Sequence, residues 1–364
     1  MKALAVRPSQ RTIGLIDHPE PGLATPSTVL MKVLRVGVCG TDREICAFDY
    51  GTPPAGSDYL VLGHESLAEV VSAGPQAGAF APGQLVVTMV RRPCDDPACD
   101  GCRAGRQDFC RTGGYTERGI KGAHGFMAER IADEARWLVP VPAALRDVGV
   151  LVEPLTIAEK ALLEVRRMLG RMPWRSGDLA GLRALVLGGG PVGLLGALAL
   201  RAAGCDVSLV SKQPADDVRA NMLATIGGTY VSSATDSITT VMGRLGRVDL
   251  VYEAVGAAAP AFEALAALGP NAMFVFTGVP GRRGAPDVDG GAIMRSVVLN
   301  NQVVLGTVNA GRDEYEAAVA DLGRFVERWP EVARGLVTNR VALADAPGAL
   351  TTPPAGIKTV VEIG

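Results

Sequence analysis

Ala184-Leu185-Val186-Leu187-Gly188-Gly189-Gly190-Pro191-Val192-Gly193 decides the fold of the second half of the chain. Residues 184–187 are four apolar residues and read as a buried strand, and 191–203 reads as a helix. Gly188, Gly190 and Gly193 lie between and into them with G-x-G-x-x-G spacing. The spacing alone is a weak signal, because the chain carries 45 glycines. Its setting strengthens it. A strand, a tight glycine turn and a helix start let a pyrophosphate approach the backbone and meet free N–H groups at the positive end of a helix dipole. Gly188, Gly190, Pro191, Val192 and Gly193 are therefore read as cofactor-binding residues of a dinucleotide site.

The same alternation continues outward. Residues 207–210, 248–252, 273–277 and 302–308 read as strands, and 216–226 and 258–267 as helices, with an amphipathic helix over 156–169. Continuous apolar strands alternating with helices predict a parallel sheet covered on both faces, a doubly wound α/β fold. Where the second strand ends, an Asp or Glu would select NAD by binding the ribose hydroxyls. This chain has Ser211, Lys212 and Gln213 there. An uncharged residue followed by a cation suits a 2′-phosphate, so NADP is the preferred cofactor, with NAD possible. The competing reading makes Lys212 a solvated surface residue.

Before residue 155 the pattern is β-rich. Apolar runs at 29–36, 67–71 and 85–89 are separated by Gly/Pro turns. A helix is expected over 313–329 and a strand over 359–363, in a β-rich end that returns to the first domain. The expected division is a catalytic domain of residues 1–154 and 312–364 and a dinucleotide-binding domain of residues 155–311.

Composition narrows the class. With 48% hydrophobic and 20% charged residues and a net charge of −2, the chain is globular and shows no nucleic-acid footprint. The pairs Arg91-Arg92, Arg166-Arg167 and Arg282-Arg283 read as solvated surface arginines. No window approaches the roughly 18 apolar residues of a membrane span, and residues 1–6 read as a first strand rather than a signal peptide. A cytoplasmic protein is expected. In a reducing compartment, the seven cysteines point to metal binding or chemistry rather than to disulfides.

Two constellations stand out. Cys39 and His64, each beside a glycine, and Glu65 supply a thiolate, an imidazole and a carboxylate, the ligand types of a catalytic zinc with one open position. Each alone would read as an ordinary buried or structural residue. Cys94-x4-Cys99-x2-Cys102-x7-Cys110 reads as a closed structural zinc site, with Cys94 the least secure ligand because of the long first gap. Cys46 and Cys205 lack ligand-type neighbours and read as structural. His18 and His124 read as structural or exposed, and Glu159 as part of a solvated helix face.

Taken in order, Cys39-Gly-Thr-Asp, Gly63-His-Glu, the cysteine lobe and the glycine turn resemble the zinc-dependent medium-chain alcohol dehydrogenases over nearly the whole chain. Segments 40–45, 90–94, 115–120, 124–126, 153–155, 248–254, 299–302 and 306–309 resemble the glucose (aldose) 1-dehydrogenase branch. The resemblance implies a β-rich GroES-like catalytic domain joined to a Rossmann domain. It also implies NADP- or NAD-linked oxidation of an aldose at C1 to the lactone, glucose first and galactose or other sugars after it. Cys39 and His64 then match catalytic zinc ligands, Glu65 a carboxylate on or beside the metal, and Glu153 a residue that completes the shell or meets substrate. Thr41 matches the hydroxyl residue through which the substrate proton leaves; Glu117 and Asn309 match hydrogen-bonding partners of sugar hydroxyls. Thr277, Gly278, Val279, Gly306, Thr307 and Val308 match strand ends that line the nicotinamide. A homodimer or homotetramer is implied by analogy.

Three departures from the family pattern are visible: the first cysteine gap is longer than the usual two residues, Val90 stands where some relatives have Asn, and Leu299 where some have His. Without the resemblance Glu117 reads as a surface turn carboxylate beside Arg118, Asn309 as a turn residue and Glu153 as a helix-start carboxylate. Asp42 reads either as the partner that orients a zinc ligand or as a turn residue. The rival readings are a polyol, secondary alcohol or threonine dehydrogenase, a zinc-free quinone or enone reductase, and a non-enzymatic NADPH-binding protein. Glu117 and Asn309 argue against the first, and the intact Cys39/His64/Glu65 set argues against the others.

Overall fold

The computed structural model describes residues 1–175, 177–281 and 286–364, so Arg282-Arg283 lies outside the described residues. The chain divides into two compact units. One comprises Met1–Glu153, Asn309–Gly323 and Arg334–Gly364; the other comprises Pro154–Val308 and Arg324–Ala333.

The first unit is built on a mainly antiparallel sheet. Its spatial order is Leu138–Val141, Leu85–Thr88, Glu65–Ala73, Thr28–Gly37, Lys358–Glu362 and Val337–Ala342, and Arg130–Glu134 also pairs with Thr28–Gly37. In Thr28–Gly37 the side chains of Val29, Met31 and Val33 are fully buried, while Lys32 between two of them is exposed. That period-two pattern fixes which face meets the core. The C-terminal strand pairs antiparallel with it, Val360 opposite Gly37 and Val361 opposite Val36. The core between these layers gathers Leu4, Val6, Met31, Leu62, Phe126, Met127 and Val361.

In the second unit six strands form a wholly parallel sheet. The order is Thr229–Ser232, Asp206–Ser211, Arg183–Leu187, Leu250–Glu253, Met273–Phe276 and Val303–Gly306. Numbered along the chain from Arg183–Leu187, this is the 3-2-1-4-5-6 order of a dinucleotide-binding fold. The first strand is apolar after Arg183, as burial on both faces demands: Ala184, Leu185, Val186 and Leu187 are all buried.

Several elements escape the sequence reading, three of them in this unit between Thr229 and Leu299. Thr229–Ser232 is a short edge strand with no fully buried residue. Ile238–Leu245 is a helix of only eight residues. Gly290–Leu299 is a helix that begins on two glycines and has no fully buried residue; only Ile293, Ser296 and Val297 are half-buried, so its amphipathic signal is weak. Two expectations are overturned. Arg91 is buried and paired instead of solvated, with Arg92 half-buried. Glu159 and Lys160 are buried as well, and Lys160 Nζ donates to the Val308 carbonyl at 2.9 Å.

No helix among the described residues is long and apolar enough to cross a membrane.

Candidate active site

Cys39 ends the loop after the central strand and is the N-cap of the helix Gly40–Cys46. The Asp42 carboxylate, at the third helical position, accepts the Cys39 backbone N–H at 2.8 Å, which fixes the cap. His64 follows Gly63, whose φ of +86° suits a residue without Cβ. A Cβ there would also press on Met127 and Val36. Glu65 then opens the strand Glu65–Ala73, with its Cα opposite Gly37. The sheet register thus carries two distant segments to one place. The ligand atoms of Cys39, His64 and Glu65 lie within 4.8 Å of one another.

Neighbours tune this cluster. His64 Nδ1 lies 3.4 Å from Asp42 Oδ1, which leaves the other ring nitrogen for a metal. Burial opposes the charge on Asp42, but the His64 ring outweighs it and holds the carboxyl below its usual value. Burial likewise opposes an imidazolium, but Asp42 outweighs it and raises His64 well above the usual value. A metal would take His64 as neutral imidazole, with Asp42 left to hold the Nδ1–H. Glu65 forms a buried ion pair with Lys358, whose Nζ also donates to the Val38 carbonyl at 2.9 Å. Thr41 Oγ1 lies 4.0 Å from Cys39 Sγ. Burial pushes the half-buried Glu153 up to about 7, against the pull of His64 and with a push from Glu65. A soft thiolate, an imidazole and a flanking carboxylate are a donor set that fits zinc.

In the same unit Glu117 is buried, so it is no surface turn carboxylate. Its Oε1 accepts from Arg91 Nε and Nη2, each at 3.0 Å, and from Asn309 Nδ2 at 3.0 Å.

The cysteine lobe forms a second cluster. The sulfurs of Cys94, Cys99, Cys102 and Cys110 all lie within 4.8 Å of one another. Cys94–Cys102 is 3.6 Å and Cys99–Cys110 is 3.9 Å. Tetrahedral zinc with bonds of about 2.3 Å spaces its sulfurs about 3.8 Å apart, so the four thiols fit one closed zinc ion. The long first gap is absorbed by a turn in which Asp96 Oδ1 accepts the Ala98 N–H at 2.8 Å and Asp96 O accepts the Cys99 N–H at 3.1 Å. Cys94 therefore reaches the cluster despite the extra residues. Cys46 and Cys205 are buried elsewhere, and burial pushes each thiol up to about 12.

In the second unit the glycine turn is tightly packed. Gly188 has φ +111°, Gly190 is the N-cap of the helix Pro191–Ala202, and a Cβ on Gly193 would overlap the Gly188 carbonyl oxygen. Ser211 is buried at the end of its strand and Lys212 is exposed. Arg219, which the sequence reading passed over, is buried beside them. Its Nε donates to Gly189 O at 2.6 Å and its Nη1 meets Asp217 at 2.7 Å. Glu253 was also missed. Its buried carboxylate accepts the N–H groups of Val255 and Gly256, both at 2.8 Å, and of Gly278 at 3.2 Å. It thereby locks two strand-end loops together, including Thr277 and Gly278. Val279, Thr307 and Val308 follow strand ends of the same sheet, with Val279 and Val308 exposed and Thr307 Oγ1 buried without a partner. Arg219 sits in a stretch without a motif, so only packing distinguishes it; Glu253 lies within the branch-like segment 248–254, which marked the stretch but not the role of its carboxylate.

A family model described as "Alcohol dehydrogenase GroES-like domain" matches residues 25–143, and one described as "Glucose dehydrogenase C-terminus" matches residues 146–363. A protein named Glucose 1-dehydrogenase from Methanocella arvoryzae is 38% identical, covering 100% of both chains. This chain belongs to the zinc-dependent medium-chain alcohol dehydrogenases, in their glucose 1-dehydrogenase branch. Glucose 1-dehydrogenase 2 of Vulcanisaeta moutnovskia is 40% identical over 100% of this chain and 99% of its own. A solved structure of Haloferax mediterranei glucose dehydrogenase, in complex with NADP, Zn and gluconolactone, aligns with a TM-score of 0.89 at 33% identity. It covers 100% of this chain and 99% of that one.

Proposed function

We propose that this family member oxidises an aldose, D-glucose first, at C1 to the lactone and passes the hydride to NADP. The observation that carries the reading is the convergence of Cys39, His64 and Glu65 within 4.8 Å in the unit that also holds the Glu117–Asn309 pair. The sheet-rich unit carries metal and sugar residues; the parallel-sheet unit carries the dinucleotide. The family placement and the NADP, Zn and gluconolactone of the Haloferax structure support each component.

Zinc, when bound, supplies a Lewis acid that makes an alcohol proton easier to lose. Cys39 and His64 would hold it, with Glu65 or Glu153 available as a further oxygen ligand. Asp42 holds the His64 ring in its orientation. Lys358 holds Glu65 back by an ion pair, so Glu65 is a conditional ligand. Thr41 would accept the C1 hydroxyl proton at Oγ1 while passing its own hydroxyl proton to solvent water. Glu117 and Asn309 orient sugar hydroxyls, and a substrate lacking them leaves buried polar groups unpaired. Cys94, Cys99, Cys102 and Cys110 hold a structural zinc.

Ser211 with Arg219 favours the 2′-phosphate of NADP, because no carboxylate stands at the strand end and a guanidinium does stand beside it. Lys212 lends a more distant charge. Thr277–Val279 and Gly306–Val308 line the nicotinamide. Assembly as a homodimer is the further part of this reading. Val303–Gly306 ends its sheet, and Met294, Val298 and Leu299 on the neighbouring helix are more than 60% exposed. An uncovered strand edge beside apolar side chains favours pairing with a second copy.

A panel of aldoses and polyols with NADP and with NAD, followed by the absorbance of reduced nicotinamide, tests the function. Glucose with NADP should give the highest kcat/KM. A higher value with any polyol would replace the aldose reading with the polyol one.

A further inference from the structure

The Glu117 carboxylate is used unevenly. Oε1 accepts three N–H groups, two from Arg91 and one from Asn309, all at 3.0 Å. Oε2 accepts none among the described residues. A carboxylate oxygen has two lone pairs, so Oε1 is saturated and the remaining acceptor capacity faces one way. Arg91 sits opposite Glu117 in the paired strands Arg91–Arg92 and Thr116–Arg118. Its guanidinium is 3.8 Å over the Tyr115 ring, and both members of the ion pair are buried. Its third nitrogen, Nη1, donates to the Asp108 carbonyl at 3.3 Å. Asp108 lies in the turn between Cys102 and Cys110, and its carboxylate pairs with Arg106, which also meets Glu314 at 2.8 Å. A planar fork therefore joins the cysteine lobe to Glu117 at fixed distances and angles.

We propose that Arg91 is a positioning residue for the sugar: it turns Glu117 so that Oε2 is the oxygen that meets a sugar hydroxyl, and it takes its own bearing from the cysteine lobe. This rests on the aldose reading above. It also gives the lobe a part in substrate recognition beyond holding the fold. A purely structural ion pair would be indifferent to which sugar hydroxyl is offered, and would not act through Glu117.

The test is steady-state kinetics of R91M, R91K, E117Q and the R91M/E117Q double variant, with glucose and the deoxyglucoses, alongside melting curves and zinc content. R91M should raise the KM for glucose about ten-fold or more while kcat stays within about two-fold. R91K should lie between R91M and wild type, because an ammonium cannot hold Glu117 and Asp108 O in one plane. In the E117Q background R91M should add less than about two-fold, because the group it positions is already altered. A wild-type KM in R91M, or an undiminished rise in the E117Q background, overturns the proposal. If R91M does not fold, an unchanged KM in R91K overturns it. A wild-type chain inactive on every aldose sinks the aldose reading itself, whereas glucose activity indifferent to Arg91 sinks only this inference.

Discussion

Two clusters of metal-ligand type lie in one unit and are built on opposite plans. Cys94, Cys99, Cys102 and Cys110 are four identical donors within 17 positions, held by turns of a short lobe. Cys39, His64 and Glu65 are three different donors, brought together by strand register and each tied to a neighbour: Asp42 to the ring, Lys358 to the carboxylate, and a helix cap to the backbone of Cys39. Four equal thiolates saturate a tetrahedral ion and close it to substrate. A mixed set of three, one of them held back by a lysine, leaves room for an exchangeable ligand. Identical composition in a compact lobe favours stability; mixed composition on rigid strands favours chemistry.

The sharpest break between the two is predicted from single ligand changes. Cys39→Ser or His64→Ala should lower kcat about a thousand-fold or more while NADP binding, read by calorimetry, stays near wild type. Substantial turnover in a metal-free preparation of either variant would put the mixed cluster outside the chemistry. Cys99→Ser should act the other way round: it should remove one of two zinc ions by elemental analysis and lower Tm by about 5 °C or more, with a smaller loss of kcat. An unchanged zinc content would show that the four thiols hold no metal.

Smaller effects sharpen the picture in the parallel-sheet unit and the remaining histidines. Arg219→Ala should cut kcat/KM with NADP about ten-fold and leave NAD nearly unaffected, whereas Lys212→Ala should cost less than about three-fold, because Lys212 is exposed. Equal losses with both cofactors would show that Arg219 only braces Gly189. His124 stacks on Tyr59 beside His18, and burial pushes it down to about 4. The unfolded chain takes up this proton from about pH 6.5 downward and the folded chain only near 4. Stability should therefore fall as pH drops through that window and level off below it. His124→Gln should flatten that part of the Tm profile, and an unaltered profile would remove His124 as its source.

Much of the fold was legible because its signals are local. The apolar run 184–187 with Gly188, Gly190 and Gly193 specifies a strand, a turn and a helix without help from elsewhere, and the parallel sheet follows from repetition. Gly290–Leu299 was not legible, because it starts on two glycines and only a narrow stripe around Ile293 and Val297 is half-buried, while Met294, Val298 and Leu299 are apolar and exposed. At the site, the residue types were legible and their partners were not. Glu117 and Arg91 are 26 positions apart, and Glu117 and Asn309 are 192 apart. Nothing in a linear pattern couples them, so Arg91 read as surface, and Glu117 read as a sugar partner only through the family resemblance and otherwise as a turn residue.

What the sequence determined by itself is the set of donors and the dinucleotide turn, since thiolate, imidazole and glycine spacing are fixed by covalent chemistry and short-range sterics. Which donors share a site, which carboxylate is held by Lys358 and which by Arg91, and that Arg219 braces Gly189 while Glu253 ties two strand-end loops together, were decided only by tertiary structure. Strand register and burial bring His64 and Asp42, Arg91 and Glu117, and Arg219 and Gly189 to 2.6–3.4 Å of one another, and at such distances in a dry interior the charge of a neighbour governs a side chain more than its own sequence context does.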